Sequence, residues 1–173
     1  MTPGDTSKKQ HTEVQGAGLK DDLYWMSLAL EEAGQCGLDV PVGSVVIRNG
    51  ELLARGRNRR EIDCDPSGHA EVIALRQAAQ ATSSWRLTGT TIYTTLEPCP
   101  MCAEAIIQSR VSRLVFGAYD VASGACGSAF NLFVPGRIFP IPEVIGGVCE
   151  EDCRNLLVEF FRSRPGADGG EAR

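Results

Sequence analysis

Two short stretches constrain this chain more than anything else in it. The first is Ser67-Gly68-His69-Ala70-Glu71-Val72; the second is Thr95-Leu96-Glu97-Pro98-Cys99-Pro100-Met101-Cys102-Ala103. His69, Cys99 and Cys102 are ligands of the kind zinc takes. Three protein ligands leave one position for water, the arrangement of catalytic rather than structural zinc. A fold that uses them must bring two separate strand-to-helix junctions to one point. Glu71 follows His69 by two residues and reaches the same cavity without being a ligand. A carboxylate there can take a proton from a zinc-activated water and return it to a reacting group. Alone, Cys-x-x-Cys serves structural sites as readily as catalytic ones, and His-Ala-Glu means almost nothing. The combination carries the inference. A structural site would need a fourth ligand, for which Cys64 and Cys126 are the candidates.

The rest of the sequence bounds the setting. A chain of 173 residues is long enough for one domain with a proper core. No apolar run approaches the roughly 20 residues of a membrane span. The first ten residues carry no apolar stretch of the signal-peptide kind, so a cytoplasmic location is expected. The cysteines number seven, an odd count, scattered except for the Cys99/Cys102 pair. In a reducing compartment such a pair binds metal or does chemistry. The net charge of −5 argues against general attraction to nucleic acid. Phosphate contacts would have to come from a local patch, and Arg55, Arg57, Arg59 and Arg60 form one in the sequence.

In chain order, residues 1–19 and 165–173 read as disordered tails around a domain over residues 20–164. A helix is expected from Asp21, with Leu23, Met26, Leu30 and Ala33 at helical spacing and Asp21 and Asp22 suiting its positive end. Gly34 and Gly37 bracket its end. Asn49-Gly50 between two apolar runs predicts a β-hairpin over residues 42–56. Pro41 and Gly43 at its start suit either a wall close to a ligand or an ordinary strand start. Residues 63–68 form a loop, and a helix runs from His69 to about Gln80, with Pro66 and Ser67 as first-turn and capping residues. A third strand covers residues 90–95, and a helix opening near Cys99 puts Cys99 and Cys102 on one face. Strands over 113–118 and 143–146 follow, separated by a loop with a short helical turn ahead of residues 131–142. An amphipathic helix carrying Cys153, Leu156, Leu157, Phe160 and Phe161 closes the chain. Strand–helix alternation after a hairpin implies a mixed sheet with helices on both faces.

His-x-Glu paired with Pro-Cys-x-x-Cys is the signature of zinc nucleobase deaminases. Beyond it, the chain resembles the bacterial tRNA adenosine deaminases from about Leu23 to Arg164. Matching stretches include Asp39-Val40-Pro41-Val42-Gly43, Gly56-Arg57-Asn58-Arg59, Val115-Phe116-Gly117-Ala118, Asp120, Gly127-Ser128 and Phe160-Phe161-Arg162. The resemblance implies a three-layer α/β/α cytidine-deaminase-like fold around a mixed five-stranded sheet, and a homodimer with its active sites near the interface. It implies one zinc ion per chain and hydrolysis of the wobble adenosine of a tRNA anticodon to inosine, with release of ammonia. By position, His69, Cys99 and Cys102 would bind zinc, Glu71 would shuttle protons and Asn58 would hydrogen-bond the flipped base. Val40 and Pro41 would form pocket wall, and Asp120 would contact the RNA beside the target. One stretch departs from the family. Arg137-Ile138-Phe139-Pro140-Ile141-Pro142 stands where a polar Asn-His-Arg type segment is usual. This keeps a deaminase of a free base or nucleoside (guanine, cytosine or cytidine) as an alternative. A zinc-stabilised binding module is a second one, which the presence of Glu71 argues against.

Overall fold

Asn49 and Gly50 both take positive φ, 53° and 75°. That is the backbone a tight two-residue hairpin turn requires, and it folds strand β1 (Gly43–Arg48) against β2 (Glu51–Arg57). The computed structural model describes residues 10–164. Its other strands are β3 (Thr90–Leu96), β4 (Arg113–Ala118) and β5 (Glu143–Ile145). Its helices are α1 (Gln10–Ala33), α2 (Arg60–Asp63), α3 (Ala70–Ala81), α4 (Pro100–Gln108) and α5 (Glu150–Arg162). The sheet order is β2-β1-β3-β4-β5. β1 is antiparallel to β2 and β3, whereas β3, β4 and β5 run parallel, so the sheet is mixed and five-stranded, as expected.

The period-two alternation of the strands divides the core into two layers. Val45, Ile47, Tyr93 and Val115 face Met26 and Ala29 of α1 and Cys153 of α5. Their neighbours Val46, Ile92 and Leu114 face the other way, onto Ala74 and Ala78 of α3 and Ile106 of α4. The helices lie close against the sheet. A Cβ at Gly43 would sit 2.0 Å from the Ala29 carbonyl oxygen, and one at Gly56 would sit 2.3 Å from that of Ala70. Gly43 thus serves the approach of α1 rather than that of a ligand. No helix among the described residues is long and apolar enough to cross a membrane.

Several expectations differ from what forms. The first helix is continuous from Gln10 rather than from Asp21; Gly16 and Gly18, poor helix formers, hide that start in the sequence. Residues 1–9 and 165–173 of the expected tails lie outside the described residues. Asp22 does not stand at a helix end. It is buried mid-helix and takes two hydrogen bonds from Arg113, at 2.6 and 2.8 Å, and one from the Tyr93 hydroxyl at 2.8 Å. This ties α1 to β3 and β4. The one-turn helix α2 was not expected. It forms because the buried Asp39 carboxylate accepts the amides of Glu61 and Ile62, at 2.8 and 3.3 Å, at its start. The helical turn ahead of residues 131–142 is a single one, closed by the Gly124 amide on the Asp120 carbonyl at 2.8 Å, and no helix continues from it. Asn131 instead pairs with Cys126 in an isolated β-bridge.

Candidate active site

β3 ends at Leu96, and Glu97-Pro98 carries the chain to Cys99, the residue that opens α4. Pro100 takes the first helical position, where a missing N–H costs nothing. On the neighbouring helix, His69 opens α3 in the same way. Both residues are extended, with φ −76° and ψ 149° at His69 and φ −68° and ψ 169° at Cys99, and neither caps its helix with its side chain. Ser67, expected as a cap, instead bonds the Asp65 carboxylate. The side chains of the two junctions turn toward each other. His69 Nδ1 lies 3.6 Å from Cys99 Sγ and 3.4 Å from Cys102 Sγ.

A tetrahedral ion with Zn–N near 2.0 Å and Zn–S near 2.3 Å separates nitrogen and sulfur ligands by roughly 3.5 Å. The donor set and its spacing therefore fit zinc. The three donor atoms lie within 4.8 Å of one another, and no fourth His, Cys, Asp or Glu joins them among the described residues. Cys64 is exposed and Cys126 packs against the layer formed by α3 and α4. The fourth ligand that a structural site needs is absent from the group.

The electrostatics match a cation site. A hydrogen bond with Cys102, and then the neighbouring His69, bring the Cys99 thiol down to about 4 against the pull of burial. Cys102 is pushed upward by its bond to Cys99, by burial and by Glu71. A divalent cation bound there would hold both sulfurs as thiolates. The N-termini of α3 and α4 add positive potential at the same point. Glu71, only 4% exposed, has its pKa raised by burial, which outweighs its own backbone amide and His69. No ion pair among the described residues engages it.

A pocket of about 150 Å³, room for one ring system, opens over these residues. Val40, Val42 and Leu96 supply apolar wall, while Asn58, Arg60, Glu97, Asp120 and Ser123 supply polar groups. Asn58 donates from Nδ2 to the Val40 carbonyl at 3.1 Å. Its Oδ1 is buried with no partner, so an acceptor stands ready in the pocket lining. Pro41 lines a separate cleft with Cys36 and Phe160. Residues 40–42 make a tight turn in which the Val42 amide donates to the Val40 carbonyl at 2.9 Å, and Val42 takes the place beside Val40 that Pro41 was expected to fill. Asp120 lines the pocket, but its carboxylate also accepts the amides of Ala122 and Ser123, at 2.9 and 3.1 Å, and the Ser123 hydroxyl.

The arginine cluster does not survive as a free patch. Arg55 pairs with Glu31 and Glu32 at 3.5 and 3.4 Å, and Arg57 with Glu32 at 3.1 Å. Arg59 grips both oxygens of Asp63 at 2.7 Å. Arg60 alone of the four has no acidic partner among the described residues, and it lines the pocket. Residues 137–142 lie elsewhere. Arg137 pairs with Glu104 of α4, and the Phe139 ring sits 3.5 Å under the Arg110 guanidinium. Reading the sequence missed Val42, Leu96, Ser123 and Glu97 as pocket lining. Glu97 stands inside the second motif, but its partners lie far downstream.

Comparison with known proteins agrees with this geometry. The cytidine and deoxycytidylate deaminase zinc-binding region matches residues 19–118. The tRNA-specific adenosine deaminase of Bacillus subtilis is 44% identical over 145 residues, covering 83% of this chain and 89% of the relative. A structure from a study of A-to-I editing by tRNA:A34 deaminases at the wobble position superposes with a TM-score of 0.73 at 38% identity, covering 78% of this chain and 99% of the other. The guanine deaminase of Nitrosomonas europaea superposes with a TM-score of 0.65 at 23% identity, covering 80% of this chain and 83% of the other, and shares the fold alone. Its fold, its zinc-dependent deaminase motifs and these relatives agree: this chain belongs to the zinc-binding cytidine and deoxycytidylate deaminase family, in the branch of the tRNA-specific adenosine deaminases.

Proposed function

We propose that this enzyme hydrolyses the wobble adenosine of a tRNA anticodon to inosine and ammonia. His69, Cys99 and Cys102 would hold one zinc ion per chain. Bound there, zinc supplies a water acidified to near-neutral pKa, the nucleophile for C6 of adenine. Glu71 accepts a proton from the attacking water on a carboxylate oxygen. It returns that proton to ring N1, and a second transfer lets the exocyclic amine leave as ammonia. Asn58 Oδ1 accepts a hydrogen bond from the flipped base, Val40 and Val42 hold its faces, and Asp120 sits at the edge toward the RNA. Arg60 supplies the phosphate contact that an acidic protein needs locally.

The observation that carries this reading is the three-ligand group with a buried carboxylate beside it that no ion pair engages among the described residues, opening on a pocket one base wide. A free-base enzyme would favour a closed lid. Residues 137–142 are absent from the pocket lining, and their anchors are Glu104 and Arg110, which supports an open mouth suited to an RNA loop. A binding module would have no use for Glu71. The protein works as a cytoplasmic homodimer. The apolar furrow along α3 and α4, lined by Val72, Leu75, Ala79, Trp85 and Ala105, supports an interface there, next to the junctions that carry the site. The test compares an anticodon stem-loop with adenosine, guanine, cytosine and cytidine as substrates. The proposal expects inosine at the wobble position of the stem-loop and far slower conversion of the free compounds. Turnover of a free base with an inert stem-loop would overturn it.

A further inference from the structure

Glu97 is a second buried acid in the pocket lining, and zinc chemistry has no use for it. It is 2% exposed and follows β3 directly, two residues before Cys99. Its backbone amide donates to the Ala118 carbonyl at 2.8 Å, extending the β3–β4 pairing. Its carboxylate meets four donors from one downstream loop. Oε1 accepts the amides of Cys126 and Ser128 at 2.8 and 3.2 Å. Oε2 accepts the Asp120 amide at 3.1 Å and the Ser128 hydroxyl. No ion pair among the described residues involves Glu97. Gly124 completes the fit, because a Cβ there would stand 2.4 Å from Glu97 Cδ and Oε2.

The segment these bonds hold has no helix or strand of its own. It runs from Asp120 through Ser128 and supplies Asp120 and Ser123 to the rim of the pocket. Its other ties to the site are few, among them Ala125 N to the Pro98 carbonyl at 2.8 Å. We propose that Glu97 is a positioning residue: its carboxylate fastens the substrate-facing loop to the strand end that carries Cys99, setting the distance between the rim and the metal centre. A carboxylate suits this task because it accepts on both oxygens and needs no donor in return. A glutamine cannot replace it. Whichever way the amide is turned, its NH₂ faces a backbone N–H that can only donate: Cys126 and Ser128 on one side, Asp120 on the other.

The inference deepens the substrate reading above and rests on it for its kinetic arm. The experiment therefore also has an arm that needs no substrate. Zinc-loaded wild type, Glu97→Gln and Ser128→Ala are compared by amide hydrogen exchange, zinc content and steady-state kinetics on the anticodon stem-loop. Glu97→Gln is expected to keep its zinc and to speed exchange at Asp120, Cys126 and Ser128. It should raise KM about tenfold, the scale of one lost hydrogen bond to a charged group, while kcat stays within about threefold. Ser128→Ala removes one donor, keeps the fold if Glu97→Gln does not, and should shift exchange and KM the same way by about threefold. Unchanged exchange across residues 120–128 in a folded variant would overturn the proposal. So would a kcat loss with zinc release at unchanged KM, which would make Glu97 a support of the metal alone. An inert wild type would sink the substrate reading and leave the exchange result to decide the role of Glu97.

Discussion

Glu71 and Glu97 are both buried acids on the wall of one pocket, and they are bonded in opposite ways. Glu97 has every acceptor position filled by the loop it holds. Glu71 has little beyond its own backbone amide and the Cys102 thiol, and burial raises its pKa. A carboxylate with all its acceptor positions filled is fixed in place. A nearly bare one in a low-dielectric wall can gain and lose a proton at modest cost. The two acids thus differ in how many donors the fold gives each, and the proposed roles, positioning for Glu97 and proton transfer for Glu71, follow that difference. The same division runs through the arginines, where Arg59 is committed to Asp63 and Arg60 is not.

The largest effect should come from the uncommitted group at the centre. His69→Ala or Cys99→Ala removes one of three ligands with no fourth to substitute, so zinc content by elemental analysis should fall from about one per chain to near zero. Turnover should drop by more than about 10³-fold with it, since metal and proton transfer act as a unit. Full zinc retention in both variants would show that the metal sits elsewhere.

A committed acid far from the pocket should give the opposite signature, large in stability and small in rate. Burial alone would push the Asp22 pKa up, but hydrogen bonds from Arg113 and Tyr93 and the charge of Arg113 outweigh it and hold the carboxyl below its ordinary value. Asp22→Asn leaves Arg113 without its main partner and should cost about 3–5 kcal/mol in denaturant unfolding at neutral pH. Because the folded pKa is depressed, this stabilisation is present above the unfolded value of about 3.9. It is lost as pH falls through the folded pKa. The gap between wild type and variant should therefore close in acid. A gap that stays constant down to about pH 2 would contradict the assignment.

A smaller effect separates adjacent arginines. Arg60→Glu should lower kcat/KM on the stem-loop about tenfold and reduce the salt slope by about one. Arg59→Glu breaks an exposed pair with Asp63 and should change kcat/KM less than about threefold. Equal losses in the two variants would mean that pairing with Asp63 does not decide which arginine meets phosphate.

The zinc group was legible in the sequence because its chemistry depends on residue types at short spacing, and the hairpin because Asn49-Gly50 encodes its own turn. What stayed hidden depends on distant partners. Asp22 looks like a helix-start acid until Arg113 is brought to it from β4. Glu97 looks like motif filler until the loop from Asp120 to Ser128 closes over it. Asp39 gives no hint that it starts α2. Pro41 reads as wall from its place in the motif, but the turn that the Val42 amide closes on the Val40 carbonyl leaves Val40 and Val42 lining the pocket and Pro41 in a separate cleft. The arginine run looked like a patch because a sequence does not display the acids of α1 that neutralise Arg55 and Arg57.

Glu71 is proposed to move protons because no ion pair among the described residues holds it. Its most direct test is Glu71→Gln, which keeps the shape of the side chain, assayed beside wild type for zinc content and for inosine at the wobble position of an anticodon stem-loop. The account predicts about one zinc per chain in both proteins, wobble inosine from wild type, and a kcat for the variant lower by about 10³-fold. Inosine formation by the zinc-loaded variant within about tenfold of wild type would contradict it, and would assign the proton to another group.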